Sequence, residues 1–359
     1  MSASFFRNRL VCGFTGIRHV TRTCLLVASL WGAAWAADLP AALPAFGADA
    51  TQNSVSGLSS GAFMAVQLQV AYSRSIVGAG VIAGGPYYCA ADNMLYTSIC
   101  MGQVPFMPPN AALMASAAKR FAKARTIDGL SNLARRKVYV FSGTDDTIVR
   151  QQAVDATVQF FKDLGMPQSS LKYVNTLPAG HAMITVGSGN ECAANAAPYI
   201  SHCSVDNQGY DQAGDLLQHI YSPRPLRPRA DKAGGQVLAF DQRPFTSSAS
   251  SSLAETGFVY VPPACTQANS HCKVHVAMHG CGQSAQSVGD KFVTQTGYNE
   301  WADTNQMLVL YPQVNKSESP YNPSGCWDWW GYTGSNYATR DGVQMKAIQA
   351  MVKRLTEPH

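Results

Sequence analysis

Short apolar, β-branched runs alternate along this chain with longer stretches whose apolar residues recur at helical spacing. That alternation predicts a mostly parallel sheet flanked by helices on both faces. Ser54-Val55-Ser56 leads into Gly57, and a helix is predicted over 60–73. Strands follow at 76–83, 137–141 and 171–176, with helices at 111–124 and 151–164 between them. Further strands are predicted at 236–240, 257–261, 273–278 and 307–311, and helices at 291–305 and 341–355. The serine-rich stretch 246–252 lies between strand-like runs and reads as a surface loop rather than a linker. No internal repeat interrupts the pattern, and 37–359 is expected to form one α/β domain.

The N-terminus departs from this alternation. Arg7, Arg9, Arg18 and Arg22 precede the apolar run 24–36 (CLLVASLWGAAWA), which ends in Ala34-Trp35-Ala36. A basic start, a short apolar core and small residues at the −3 and −1 positions form an export signal, removed after residue 36. The run is shorter than the roughly 20 residues that span a bilayer. The mature protein is therefore expected in the periplasm or medium, without stable membrane insertion. Four of the 27 basic residues leave with the signal, so the remainder is nearly balanced by 22 acidic ones. No basic block remains of the kind that nucleic-acid binding needs. Charged residues make up only 14% of the chain, which suits a surface that meets something apolar.

Of ten cysteines, Cys12 and Cys24 fall in the signal. The other eight form an even set in an exported chain, which suggests disulfides. Cys89 and Cys100, Cys192 and Cys203, and Cys265 and Cys272 are close couples, which would leave Cys281 with Cys326. The competing reading is a metal site at His271, Cys272, His275, His279 and Cys281. Nothing there has a zinc spacing such as paired C-x₂-C, and no metal is expected.

Gly57-Leu58-Ser59-Ser60-Gly61 is a G-x-S-x-G box between a predicted strand and helix, the setting in which such a serine is lifted from the sheet on a sharp turn. Ser59, with glycines two residues away on both sides, is the candidate nucleophile. A serine hydroxyl needs a base to take its proton and a carboxylate to orient that base. The order of α/β-hydrolases is serine, acid, histidine. Asp145 and Asp146 follow the strand 137–141, and spacing does not choose between them. Pro178-Ala179-Gly180-His181 places His181 past the next strand. An oxyanion hole takes one backbone N–H from the residue after the nucleophile, here Ser60, and another from a loop often marked His-Gly. That loop ordinarily precedes the serine. Here the candidate, His279-Gly280-Cys281, lies far downstream after the strand 273–278. A circular permutation accounts for this, with the first half of an α/β-hydrolase moved to the C-terminus.

Several long, unusual segments carry a specific resemblance. They are SVSGLSSGAFMA (54–65), AGGPYYCA (83–90), SGTDDTIV (142–149), AGH (179–181), HVAMHGCGQS (275–284), TGYNEWADTNQMLVLYPQ (296–313) and GCWDWWGY (325–332). From about Leu43 onward the chain resembles the single-domain poly(3-hydroxybutyrate) depolymerases with a circularly permuted α/β-hydrolase fold. The resemblance implies Ser59 as nucleophile, Asp146 as acid and His181 as base. It implies oxyanion donors at the N–H groups of Ser60 and Cys281, and a substrate-side tryptophan at Trp329. Trp330 stands where the fungal enzyme of this family has a smaller apolar residue. Trp327 joins Trp329 as a candidate wall for the acyl chain, since three indoles in four residues cannot all be buried on one side.

The expected function is cofactor-free hydrolysis of poly(3-hydroxybutyrate), or related short-chain polyesters and oligoesters, by a monomer. An esterase acting on soluble or polysaccharide-linked feruloyl or acetyl esters is the alternative. A non-catalytic polymer- or granule-binding protein is a third reading, and it would not need the serine, acid, histidine and oxyanion loop together.

Overall fold

The computed structural model describes residues 40–246, 248–267 and 270–358; the predicted export signal lies outside the described residues. From residue 40 onward the described chain forms one compact unit. Eight strands make its central sheet: β1 (Asn53–Leu58), β2 (Ile76–Ile82), β3 (Lys137–Phe141), β4 (Leu171–Val174), β5 (Gln236–Asp241), β6 (Thr256–Val261), β7 (Lys273–Met278) and β8 (Met307–Tyr311). Their order across the sheet is β4-β3-β2-β1-β7-β8-β6-β5. The six strands from β4 to β8 are parallel, while β6 runs antiparallel to both β8 and β5. This is the strand order of the predicted permuted α/β-hydrolase fold. The strand that ends at the serine is first in sequence, yet it lies in the middle of the sheet beside β7.

Burial explains the strand sequences. Every residue of β8 (MLVLY) is buried, as are Val274, Val276 and Met278 of β7, because central parallel strands are covered on both faces. The principal helices are α1 (Ser60–Ala71), α2 (Ala111–Lys123), α3 (Gln151–Asp163), α4 (Gln212–Tyr221), α5 (Tyr298–Asn305) and α6 (Val343–Thr356). All twelve residues of α1 are buried, so it has no polar face, and its two glutamines bond to main-chain carbonyls at Asp328 and Ile76. Truncating a leucine such as Leu308 in this core would cost roughly 2–5 kcal/mol.

Three expectations are corrected. The helix predicted over 291–305 is two pieces, 291–295 and α5, because the chain turns left-handed at Gly297 (φ 85°). Helix α4 was not expected at all. The serine-rich stretch is only partly a surface loop: Ser251 and Ser252 are buried, and Ser252 Oγ lies 2.6 Å from Ser317 Oγ.

Candidate active site

Parallel strands end on the same edge of a sheet, and the candidate residues follow the C-terminal ends of β1, β3, β4 and β7. Because β1 ends at Leu58 and α1 begins at Ser60, Ser59 alone makes the turn. Its φ of 57° and ψ of −122° cost an L-residue about 1–3 kcal/mol. The box glycines permit the turn. A Cβ on Gly57 would stand 2.3 Å from the carbonyl carbon of Gly61, and one on Gly61 would stand 2.3 Å from the Met278 carbonyl oxygen. The second contact also lets α1 pass the end of β7, which brings the 279–281 loop to the serine.

Asp146 Oδ2 lies 2.7 Å from His181 Nδ1. Its Oδ1 accepts the backbone N–H groups of Ile148 (2.8 Å) and Val149 (2.9 Å). With both oxygens engaged the carboxylate cannot rotate, and both residues are 3% exposed. A carboxylate at Nδ1 keeps the proton there and leaves Nε2 as the basic nitrogen. Asp145, by contrast, is exposed.

Ser59, Ser60, His181 and Cys281 line one cavity of about 100 Å³. No hydrogen bond joins Ser59 to His181; in unliganded enzymes such contacts are commonly long and tighten when substrate binds. Phe63, Met101, Ile148, Val149, Tyr199 and Trp329 make the rest of the wall apolar. Of these, only Trp329 was identified from sequence. The others scatter over four segments, and no local pattern marks them.

The loop after β7 is held from several directions. Gly280 lies against Ser59, where a Cβ would come within 3.3 Å of the serine Cβ. Its N–H donates to Gln283 Oε1 (2.7 Å), and the amide of Gln283 donates to the carbonyls of Pro198 (2.9 Å) and Tyr199 (3.0 Å). His279 Nε2 accepts the Val314 N–H (3.2 Å), so Nδ1 carries the proton and donates to the Gly280 carbonyl (2.7 Å). Burial lowers the His279 pKa to about 4, which keeps the ring neutral. Cys281 is bonded to Cys326. Among the described residues, neither the Ser60 nor the Cys281 N–H has a protein acceptor.

All four disulfides pair as the spacing suggested: Cys89–Cys100, Cys192–Cys203, Cys265–Cys272 and Cys281–Cys326. The sulfurs of the competing metal reading are therefore in disulfides. Its central histidine, His275, bonds to the hydroxyls of Ser54 and Ser56, each at 2.7 Å.

The tryptophans separate. Trp329 stacks on Phe63 with centroids 4.2 Å apart and lines the cavity. Trp327 is 0% exposed and packs on His279 at 5.6 Å, so it belongs to the core and does not reach the cavity. Trp330 is half-buried. The buried carboxylate of Asp328 shapes this loop by accepting the N–H groups of Trp330, Gly331, Tyr332 and Thr333 and the Thr333 hydroxyl.

Residues 256–357 match the family model described as Esterase PHB depolymerase. The chain is 42% identical over 317 residues to a poly(3-hydroxybutyrate) depolymerase of Delftia acidovorans, covering 88% of this chain and 61% of that protein. It thus spans less than two thirds of the Delftia protein. It is 40% identical over 329 residues to a polyhydroxybutyrate depolymerase of Talaromyces funiculosus, with 88% of this chain and 92% of that one covered. Among solved structures it is similar to the PHB depolymerase from Penicillium funiculosum, with a TM-score of 0.78 at 39% identity, covering 88% of this chain and 98% of that one. The same values hold for a PHB depolymerase complexed with an R3HB trimer. At 40% identity, with 92% of the Talaromyces protein matched, this chain belongs to the PHB depolymerase family.

Proposed function

We propose that this chain hydrolyses ester bonds of poly(3-hydroxybutyrate), or related short-chain polyhydroxyalkanoates and their oligomers, with Ser59, His181 and Asp146 as the catalytic triad. The observation that carries this reading is the buried Asp146–His181 hydrogen bond at a cavity shared with Ser59. His181 Nε2 takes the Ser59 proton as Oγ attacks the ester carbonyl. The charge on the carbonyl oxygen falls to the N–H groups of Ser60 and Cys281. The imidazolium, stabilised by Asp146, returns the proton to the departing alkoxide, and a 3-hydroxyacyl-enzyme remains. His181 then activates water, which releases the acid and restores the serine. None of these steps calls on a cofactor, and every group belongs to one chain, so a monomer suffices.

A cavity of about 100 Å³ suits one short acyl unit, with Trp329 and Phe63 as its apolar wall. The remainder of a polymer would lie outside, where Met94, Leu95, Tyr96, Phe106, Met107 and Leu113 are exposed. That segment enters the cavity at Met101. Four disulfides fit export to an oxidising compartment, either the periplasm or the medium. The small cavity also fits a soluble short-chain ester, so the substrate test needs two arms.

The purified protein is expected to clear a suspension of poly(3-hydroxybutyrate) and to hydrolyse p-nitrophenyl butyrate. Butyrate hydrolysis without clearing would select the soluble esterase, and neither activity would select a binding protein. Ser59→Ala should reduce both activities by about 10⁴ or more while the protein stays folded. Retention of more than about a tenth of the activity would remove Ser59 from the mechanism.

A further inference from the structure

One side chain outside the triad joins the loops that carry two of its members. Asn195 Oδ1 accepts the backbone N–H of His181 and that of Thr147, each at 3.0 Å. Its Nδ2 donates to the carbonyls of Asp145 (3.0 Å) and Ala193 (3.1 Å). The amide orientation is set by this network, since a flip would face donors with donors and carbonyls with carbonyls. Asp145 and Thr147 flank the acid, so Asn195 grips the chain on both sides of Asp146 and, through the same oxygen, at the base itself. The clamp fixes the distance between two loops that otherwise meet here through the Asp146–His181 bond and main-chain contacts such as Asp145 N–H to the Ala179 carbonyl.

The segment bearing Asn195 is itself anchored. The Cys192–Cys203 disulfide closes it, the Cys192 carbonyl accepts the Gly180 N–H at 2.8 Å, and Pro198 and Tyr199 hold Gln283 of the oxyanion loop. We propose that Asn195 is a positioning residue for the acid–base pair, holding the Asp146 and His181 loops at the spacing that aims Nε2 at Ser59. The inference rests on the triad reading above. It gives a mechanical role to a residue that touches neither substrate nor the reacting atoms.

The test measures kcat and KM for p-nitrophenyl butyrate, with folding followed by circular dichroism. Asn195→Ala should lower kcat about 10–100-fold, because a displacement near 1 Å is enough for losses of that size. KM should stay within about threefold, since the apolar wall and oxyanion donors are untouched. Asn190→Ala is the control. It removes bonds to the Ala196 and Ala197 carbonyls in the same segment (3.0 and 3.2 Å) without touching the acid or base loop. It should keep kcat within about threefold of wild type even if it melts earlier. A kcat for Asn195→Ala within about threefold of wild type overturns the proposal, as do equal losses in both variants, which would make segment integrity the cause. If Asn195→Ala does not fold, Asn195→Asp takes its place, keeping the two acceptor bonds and losing the two donor bonds. It should lose about 3–10-fold in kcat at unchanged KM, and full activity overturns the proposal. Ser59→Ala is run alongside. If that variant is active the triad reading itself has failed; if it is inactive while Asn195→Ala is not, only the positioning role has.

Discussion

Two adjacent carboxylates, Asp145 and Asp146, follow β3, and only their surroundings tell them apart. Asp146 is buried, with one oxygen on His181 and the other on two backbone N–H groups. Asp145 faces solvent and contributes to the site through its carbonyl. Asp146→Asn should cost about 10⁴ in turnover, because an amide that donates to Nδ1 leaves the imidazole with its proton on the wrong nitrogen. Asp145→Asn should keep nearly full turnover, and comparable losses in the two variants would refute the assignment. Spacing in the sequence could not choose between neighbours that differ by one step along a loop; the family resemblance could. The same limit applied to Trp327 and Trp329. A run of indoles says that one must leave the core, and which one depends on the turn that Asp328 winds by accepting four successive N–H groups. Asn195 was illegible for a different reason, since its partners lie on two other loops and an isolated asparagine carries no local signal.

Among the elements, the loop after β7 depends most on what it is tied to. Cys281, the proposed second oxyanion donor, has its sulfur bonded to Cys326, 45 residues away. Cys281→Ser should lower turnover roughly tenfold or more as the donor loosens, and stability should drop by about 2–4 kcal/mol. Cys326→Ser should reproduce both losses, although it leaves the loop sequence intact. Paired kcat and melting measurements check this, and full turnover in Cys326→Ser would show that the bridge does not place the donor. Most elements were legible because the strands are continuous apolar runs and the helices are long. β3, β7 and β8 were bounded as found. The failures are physical. Gly297 breaks a pattern whose periodicity continues through it, and α4 is short, with Gly214 in its first turn beneath the ring of Trp301. Helix α4 carries a cap at Asp211, whose side chain accepts the Gly214 N–H (2.9 Å), so a start signal was present without the length to support it.

For the whole molecule, the buried histidines set a lower limit to the pH range. Burial drives His275 to about 3 and His279 to about 4, from an ordinary value of 6.5. Below pH 6.5 the unfolded chain takes up protons that the fold refuses. The contribution of each ring is therefore complete above that pH and is lost as acid is added, until the folded value is reached. The slope approaches about 1.4 kcal/mol per pH unit for each histidine. Melting temperature should fall steadily from pH 6.5 to 4.5, before carboxylates join in, and His275→Asn should flatten the fall. A melting temperature constant over that range would contradict the burial argument. Permutation was legible at this scale because the candidate oxyanion motif stands on the wrong side of the serine. It also carries a consequence in time. Asn53 of β1 pairs with Val274, so one edge of β1 waits for its neighbour until the chain has been made as far as residue 274. Contacts this distant in sequence close late and slowly. The proposed triad, Ser59, Asp146 and His181, precedes residue 182, while the proposed second donor, Cys281, and Trp329 of the cavity wall come later. On the proposed reading, a chain that emerges N-terminus first therefore carries its triad unarmed until residues 281 and 329 have followed it.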